Sequence, residues 1–321
     1  MTTKKTILIT GGFGYIGGRL AKAISTNTKH RVILGSRKPK KIPSQLPGVS
    51  SVLTQWDSPE SLISIMHGID VVIHASGMNA QDCENDPDMA FQVNGVATSN
   101  LLMAAIKQKV GRFIYLSTIH VYGSPLTGRI TEDSPTKASH PYATSHQAGE
   151  DAVLTESKKG NIKGIVVRLS NAFGAPIHND VNCWMLLVND LCKQAVNHQK
   201  LVLDSSGEQK RDFVSLTDVC AAIIHLTECP LGGLYNYLFN IGGNWAPSIL
   251  EMSENFSQRY AKLTGILLEI KRNQDGKNLP FDSLNYSTEK LISTGFVPSK
   301  NNPVNQELDD LICFCLENKD S

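Results

Sequence analysis

Through the first half of the chain, short apolar runs alternate with longer stretches whose apolar residues recur at helical spacing. The run T-I-L-I-T, Thr6–Thr10, ends in glycines and predicts a buried strand. Residues 15–25 follow as a helix. Short apolar runs return at 31–34 and, more weakly, at 51–53, with a helical stretch at 58–66 behind them. The runs at 70–74 (D-V-V-I-H), 112–117 (R-F-I-Y-L-S) and 164–169 (G-I-V-V-R-L) predict three more buried strands. Between them, residues 88–109 carry Phe91, Val93, Leu101, Leu102 and Ile106 at helical spacing, and 142–156 predict another helix. Apolar strands alternating with helices are covered on both faces. That implies repeated βαβ units and an α/β fold with a doubly wound parallel sheet.

The rhythm changes after Asn171. Residues 172–212 are more irregular, with a helix near 183–196, and a clear helix returns at 217–227. From 242 to 321 short helices and turns mix. This predicts a smaller, discontinuous C-terminal α/β lobe made of 172–212 and about 231–321. The stretch of about 213–230 is expected to pack back on the first lobe, 1–171.

Composition narrows the classes. The chain has 321 residues, 41% hydrophobic and 19% charged, which is ordinary for a globular protein. Its 31 basic and 30 acidic residues leave a net charge of +1, so no footprint for nucleic acid or an anionic membrane is visible. The local exception, Arg37-Lys38-Pro39-Lys40-Lys41, reads by itself as a solvated loop. No apolar stretch is expected to reach the roughly 20 residues of a membrane span. The run before Gly11 is too short for a signal-peptide core. Seven cysteines without C-x-x-C spacing argue against a disulfide framework or a metal site, and for a reducing, cytoplasmic location.

The first strand leads into Gly11-Gly12-Phe13-Gly14-Tyr15-Ile16-Gly17-Gly18, which places Gly11, Gly14 and Gly17 between a strand and a helix. Glycine there lets the chain turn tightly and approach a pyrophosphate, which rests on the free N–H groups of the helix start. The pattern predicts a nicotinamide dinucleotide, NADP or NAD. A NAD binder usually carries an acid at the end of the second strand, where Gly35 stands here. Ser36 and Arg37 follow it and favour the 2′-phosphate of NADP. Asp57 is a candidate acceptor for the adenine amino group. Ala75, Ser76 and Gly77, after the fourth strand, are small enough for a cofactor to approach the sheet edge.

With these motifs in order, the chain resembles the extended short-chain dehydrogenase/reductase family of Rossmann-fold nucleotide-sugar epimerases, dehydratases and reductases. The resemblance is carried by T-G-G-F-G-Y-I-G from Thr10, D-V-V-I-H-A-S-G from Asp70 and V-N-G-V-A-T-S-N-L-L from Val93. It continues with Y-L-S-T-I-H-V-Y-G from Tyr115, P-Y-A-T-S-H from Pro141, V-V-R-L-S-N-A-F-G from Val166, R-D-F-V-S-L-T-D-V from Arg211 and F-N-I-G-G from Phe239. It implies that the second lobe binds substrate, and that Phe13, Tyr15, Ile16, Asn94 and Ser117 also meet the cofactor. It implies that Tyr142 is the general acid or base and that Thr118 holds the same substrate oxygen. It further implies a homodimer through helices 88–109 and 142–156.

Two departures stand out. The family's lysine, four residues after the tyrosine, is His146 here. Lysine lowers the tyrosine pKa and grips the nicotinamide ribose, whereas a histidine of ordinary pKa is charged only in part at neutral pH. Three readings stay open: a working substitute in a slower or pH-sensitive enzyme, a cofactor-binding protein with little turnover, or a side chain that points away. The second departure is Ile119-His120, where dehydratases of the family carry Asp-Glu; this disfavours dehydration. On the substrate side the resemblance places Met78, Asn79, Asn171 and Arg211, with Arg211 on a phosphate or, alternatively, in an ion pair with Asp212. Trp184 and Trp245 are either stacking platforms or core. The expectation is an NAD(P)-dependent epimerase or 4-keto-sugar reductase. It acts on a nucleotide-diphosphate sugar by hydride transfer at a ring carbon, C4. A weakly catalytic cofactor binder and a carbonyl reductase of non-sugar substrates are the alternatives.

Overall fold

The computed structural model describes residues 3–232, 236–273, 283–299 and 303–319. The first lobe runs β1 (Thr6–Thr10), α1 (Tyr15–Asn27), β2 (Arg31–Ser36), β3 (Ser50–Leu53), α2 (Pro59–Ile65), β4 (Val71–His74), α3 (Ala80–Asn85), α4 (Pro87–Ala90) and α5 (Ala97–Lys107). It continues with β5 (Arg112–Thr118), β6 (Gly128–Ile130), α6 (Pro141–Lys158), β7 (Lys163–Leu169) and β8 (Asn171–Phe173). Next come α7 (Leu187–His198), β9 (Lys200–Leu203), β10 (Phe213–Ser215), α8 (Leu216–Glu228) and β11 (Leu238–Ile241). The chain ends with α9 (Ile249–Thr264), β12 (Glu269–Arg272), β13 (Leu284–Tyr286), α10 (Glu289–Ser293) and α11 (Pro303–Glu317).

Seven strands form one parallel sheet in the order β11-β7-β5-β4-β1-β2-β3. Alternate residues of β1 serve opposite layers. Ile7 and Ile9 join the core with Leu20 and Ile24 of α1 and Ile223 of α8, while Leu8 packs with Leu101 of α5 and Val153 of α6. The strand order reverses between β1 and β4. Such a switch point opens a crevice at the carboxyl ends of the strands.

The second lobe has its own core, built from α7, α9 and α11 with β9 paired to β12. Trp184 and Trp245 pack against that core. Helix α8 contacts α1 of the first lobe, and β11, drawn from the stretch assigned to the second lobe, joins the large sheet beside β7. The helix predicted over 88–109 runs as one helical stretch, Pro87–Lys107, in which Phe91–Val96 form a π-helical segment between α4 and α5. The stretch Pro87–Lys107, 21 residues of mean hydropathy 1.2, is also long and apolar enough to cross a membrane, which corrects the expectation that none is. In the fold 44% of it is buried, with Leu101, Leu102 and Ala105 packed under the sheet as in a core helix.

Candidate active site

The turn after β1 packs directly against the end of β4. Gly11 has φ +71°, and a Cβ there would lie 2.6 Å from the Ala75 carbonyl oxygen. A Cβ on Gly17 would lie 2.2 Å from the Gly11 carbonyl oxygen. Only glycine lets the strand, the turn and the helix come this close. Gly14 caps α1 with no side-chain bond, and the first turn carries no acid. Its N–H groups and positive dipole end are thus available to an anion, so the turn fits a dinucleotide diphosphate. The Tyr15 hydroxyl donates to Gly174 O at 2.8 Å, tying the start of α1 to the second lobe. Phe13 is buried beside the turn, with the Lys40 ammonium 5.6 Å above its ring.

A cavity of about 500 Å³ opens beside this turn, between the lobes. It gathers Tyr15, Ile16, Ala75, Ser76, Gly77, Met78, Asn79, Ser117, Thr118, Tyr142, His146, Asn171 and Arg211. It also takes in His120 and residues that were not singled out, among them Gln81, Ser170, Asn182, Met185 and Leu186. Other expected residues are engaged inside the protein or lie beyond this cavity. Asn94 stands behind the wall, fully buried; its Oδ1 accepts from Met78 N at 2.9 Å and its Nδ2 donates to Ser145 Oγ at 3.0 Å. It shapes the loop after β4 rather than facing the cavity. The Ser117 hydroxyl donates to Glu150 Oε1 at 2.5 Å, so it is engaged inside the protein. Ser36, Arg37 and Asp57 lie outside the cavity, on the sheet edge beyond the glycine turn, with Arg37 and Asp57 exposed. The absent acid at position 35 has a steric cause: a Cβ on Gly35 would lie 2.9 Å from Thr54 Cγ2 and 3.2 Å from Thr10 Cγ2.

Tyr142 and Thr118 meet in this cavity from α6 and the end of β5. Burial holds the Tyr142 phenol above its ordinary pKa, with Thr118 opposing. Thr118 also accepts from His120 N at 3.2 Å, which fixes the tight turn after β5.

Residues 7–242 match the model of the NAD dependent epimerase/dehydratase family. The chain belongs to that family. It is 26% identical over 308 residues to the human dTDP-D-glucose 4,6-dehydratase, covering 92% of this chain and 85% of that one. Its fold is that of UDP-N-acetylglucosamine 4-epimerase from Methanobrevibacter ruminantium, with a TM-score of 0.82 at 18% identity over 99% of this chain and all of the other. It is also similar to RMD from Pseudomonas aeruginosa complexed with NADPH, at TM-score 0.74 and 20% identity, over 98% of this chain and all of that one.

In this member of the epimerase/dehydratase family, the residue one turn after the tyrosine is not a cation. His146 stacks edge-on to Tyr142, with ring centroids 4.6 Å apart and planes at 72°. Burial, with a smaller contribution from His120, pushes its pKa down to about 4, so the imidazole is neutral at pH 7. His120, nearer the mouth, is held below its ordinary value by burial and then by the Arg211 guanidinium. Arg211 is half-buried, and Nε and Nη2 both point to Gln209 Oε1, at 3.2 and 2.9 Å. It does not pair with Asp212, whose carboxylate accepts instead from Gly243 N at 2.9 Å. Asn171 Nδ2 donates to Asp212 O at 2.8 Å, which holds the cavity floor. Among the described residues lining the cavity there is no lysine and no carboxylate. Among the described residues, no group of three or more His, Cys, Asp or Glu side chains is placed to hold a metal ion.

Proposed function

We propose that the chain is an NADPH-dependent reductase of a 4-keto sugar linked to a nucleoside diphosphate. The observation that carries this is the state of Tyr142. Its ring packs edge-on to a neutral His146, burial holds its phenol above the ordinary pKa, and no lysine is among the described residues lining the cavity. An epimerase must first remove a hydroxyl proton, which calls for a phenolate and a nearby cation. A reductase needs the opposite, a phenol ready to give its proton.

Bound at the glycine turn, a reduced nicotinamide dinucleotide supplies the hydride that reaches the keto carbon. The Tyr142 phenol gives its proton to the carbonyl oxygen, so C=O becomes CH–OH. Thr118 hydrogen-bonds that oxygen and fixes its approach. Tyr142 regains a proton from solvent through the cavity mouth. Arg211 clamps the substrate diphosphate, since a guanidinium grips phosphate oxygens in bidentate fashion. Exposed Arg37, beside a β2 end with no room for a carboxylate, supports NADPH over NADH. Dehydration is disfavoured because Ile119 and His120 put no carboxylate beside Thr118. The apolar face that exposes Phe91 and Met103, beside a hollow of about 290 Å³ between α5 and α6, supports a homodimer.

The test is NADPH consumption with UDP-, GDP- and dTDP-linked 4-keto sugars. Wild type should turn over at least one of them, and Tyr142→Phe should lower kcat by about 100-fold or more while NADPH still binds. The neutral His146 also favours a second reading, a cofactor-binding protein without turnover. An inactive wild type that becomes active on His146→Lys would select it. Failure of every nucleotide sugar to protect the protein thermally would point to a non-sugar carbonyl instead.

A further inference from the structure

Behind Tyr142 a line of buried polar groups crosses from the glycine turn to α6. Thr10, His74, Thr98, Tyr115 and His146 are all buried. The directions of their hydrogen bonds follow from donor counting. Thr98 Oγ1 donates to Asn94 O at 2.7 Å, so at its other contact, 2.9 Å away, it accepts from His74 Nε2. His74 Nδ1 then accepts from Thr10 Oγ1 at 2.6 Å. At the far end, the Tyr115 hydroxyl is 2.9 Å from His146 Nδ1 and 3.3 Å from Asn94 O. Asn94 O also accepts from Thr98, but a carbonyl oxygen has two lone pairs, so distance rather than occupancy decides at Tyr115. The single phenolic proton therefore goes to the nearer acceptor, His146 Nδ1. A neutral imidazole carries one N–H. With Nδ1 accepting, that proton is on Nε2, at the cavity wall, 3.7 Å from where a Cβ of Gly77 would stand.

We propose that Tyr115 is a positioning residue that fixes His146 as the Nε2–H tautomer, so that the cavity is offered an uncharged, aimed hydrogen-bond donor where the family's lysine offers a cation. Its catalytic meaning rests on the reductase reading, but the tautomer itself does not. The matching partner is an uncharged oxygen acceptor on the bound dinucleotide, such as a ribose hydroxyl. Titratable groups face His146 from several elements. Tyr142 and Glu150 are on its own helix, and Glu150 is taken up by Arg168 and Ser117. Tyr115 and His74 come from β5 and β4, His120 from the turn after β5, and Cys83 from α3. Tyr115 also stacks on His74, with centroids 5.6 Å apart, so Tyr115→Phe keeps the ring contact and removes only the hydroxyl.

The direct test is nitrogen-15 NMR of histidine-labelled protein at pH 7, with the His146 signals assigned by their loss in His146→Gln. The expected spectrum has a protonated Nε2 and an accepting Nδ1 in wild type, and mixed tautomers in Tyr115→Phe. A protonated Nδ1, or an imidazolium, in wild type overturns the proposal. The second arm is NADPH affinity by fluorescence titration. Tyr115→Phe should weaken it about twofold to tenfold in wild type, the worth of one hydrogen bond. In a His146→Lys background, where an ammonium has no tautomer to set, the same change should have less than about a twofold effect. Equal losses in both backgrounds would mean that Tyr115 is merely structural, and would also overturn it. Should no keto sugar be reduced while the spectrum is as expected, the reductase reading falls and this assignment stands.

Discussion

His146 and His74 are imidazoles buried in one layer, and burial pushes their pKa values from an ordinary 6.5 down to about 4 and about 3. Both are neutral when folded at pH 7. Below about pH 6.5 the unfolded chain takes up protons that the folded one refuses, so stability is lost as pH falls from 6.5 toward 4. Asp212 works in the opposite sense. Burial raises its pKa to about 7, so its contribution is present in acid and lost as pH rises through 7. The expected outcome is a Tm that drops between pH 6.5 and 4, with a shallower drop in His146→Gln; equal slopes would mean that His146 is not held neutral by its surroundings. Tyr142, Thr118, His146 and His120 are legible in the sequence through the family resemblance, whose motifs S-T-I-H-V-Y-G and P-Y-A-T-S-H carry them. Tyr115 and Glu150 take their meaning from contacts across strands and helices, and no local spacing announces those.

Helix α6 sets Tyr142, His146 and Glu150 four residues apart, so one face carries the proposed acid, the proposed donor and an anchor. The anchor is a buried ion pair: Arg168 Nε reaches Glu150 Oε1 at 2.9 Å and Nη2 reaches Oε2 at 2.5 Å. The Arg168 guanidinium also lies 4.6 Å from the Tyr122 ring centroid. Removing one partner strands the other charge in the core, which costs about 3–5 kcal/mol. Arg168→Met should therefore destabilise by about that much in urea unfolding, and Arg168→Met with Glu150→Gln should recover part of the loss. Additive losses would show that the pair does not hold α6 to β7. The parallel strands are readable at this scale because both their faces are buried and the runs are continuously apolar. Strands β8, β10 and β13, of three residues each, are too short to show a period. The π turn at Phe91–Val96 keeps a helical apolar pattern on both sides, so periodicity alone does not reveal it.

The two lobes are joined where the cavity needs a fixed width. Glu307 of α11 is buried between them: its Oε1 accepts from Arg19 of α1 at 2.5 Å and its Oε2 from the Thr217 hydroxyl of α8 at 2.7 Å. Tyr15 adds a bond from the start of α1 to Gly174. The glycine turn and Arg211 are thus held across one cleft, and their ligands are separable in chemistry. In the proposed function a dinucleotide would engage the turn and a nucleoside diphosphate would engage Arg211. Each ligand, supplied at about 100 times its Kd, should stabilise the protein by about 2.7 kcal/mol. Arg211→Met removes charge-assisted bonds worth about 1.5–3 kcal/mol, which weakens diphosphate binding by about 10- to 150-fold. In thermal unfolding, Arg211→Met should thus lose most of the protection given by UDP, GDP or dTDP, whichever the wild type recognises, and keep the protection given by NADPH. Were both protections lost together, Arg211 would be a strut between the lobes; were neither lost, the diphosphate would have to rest on other donors in the cleft.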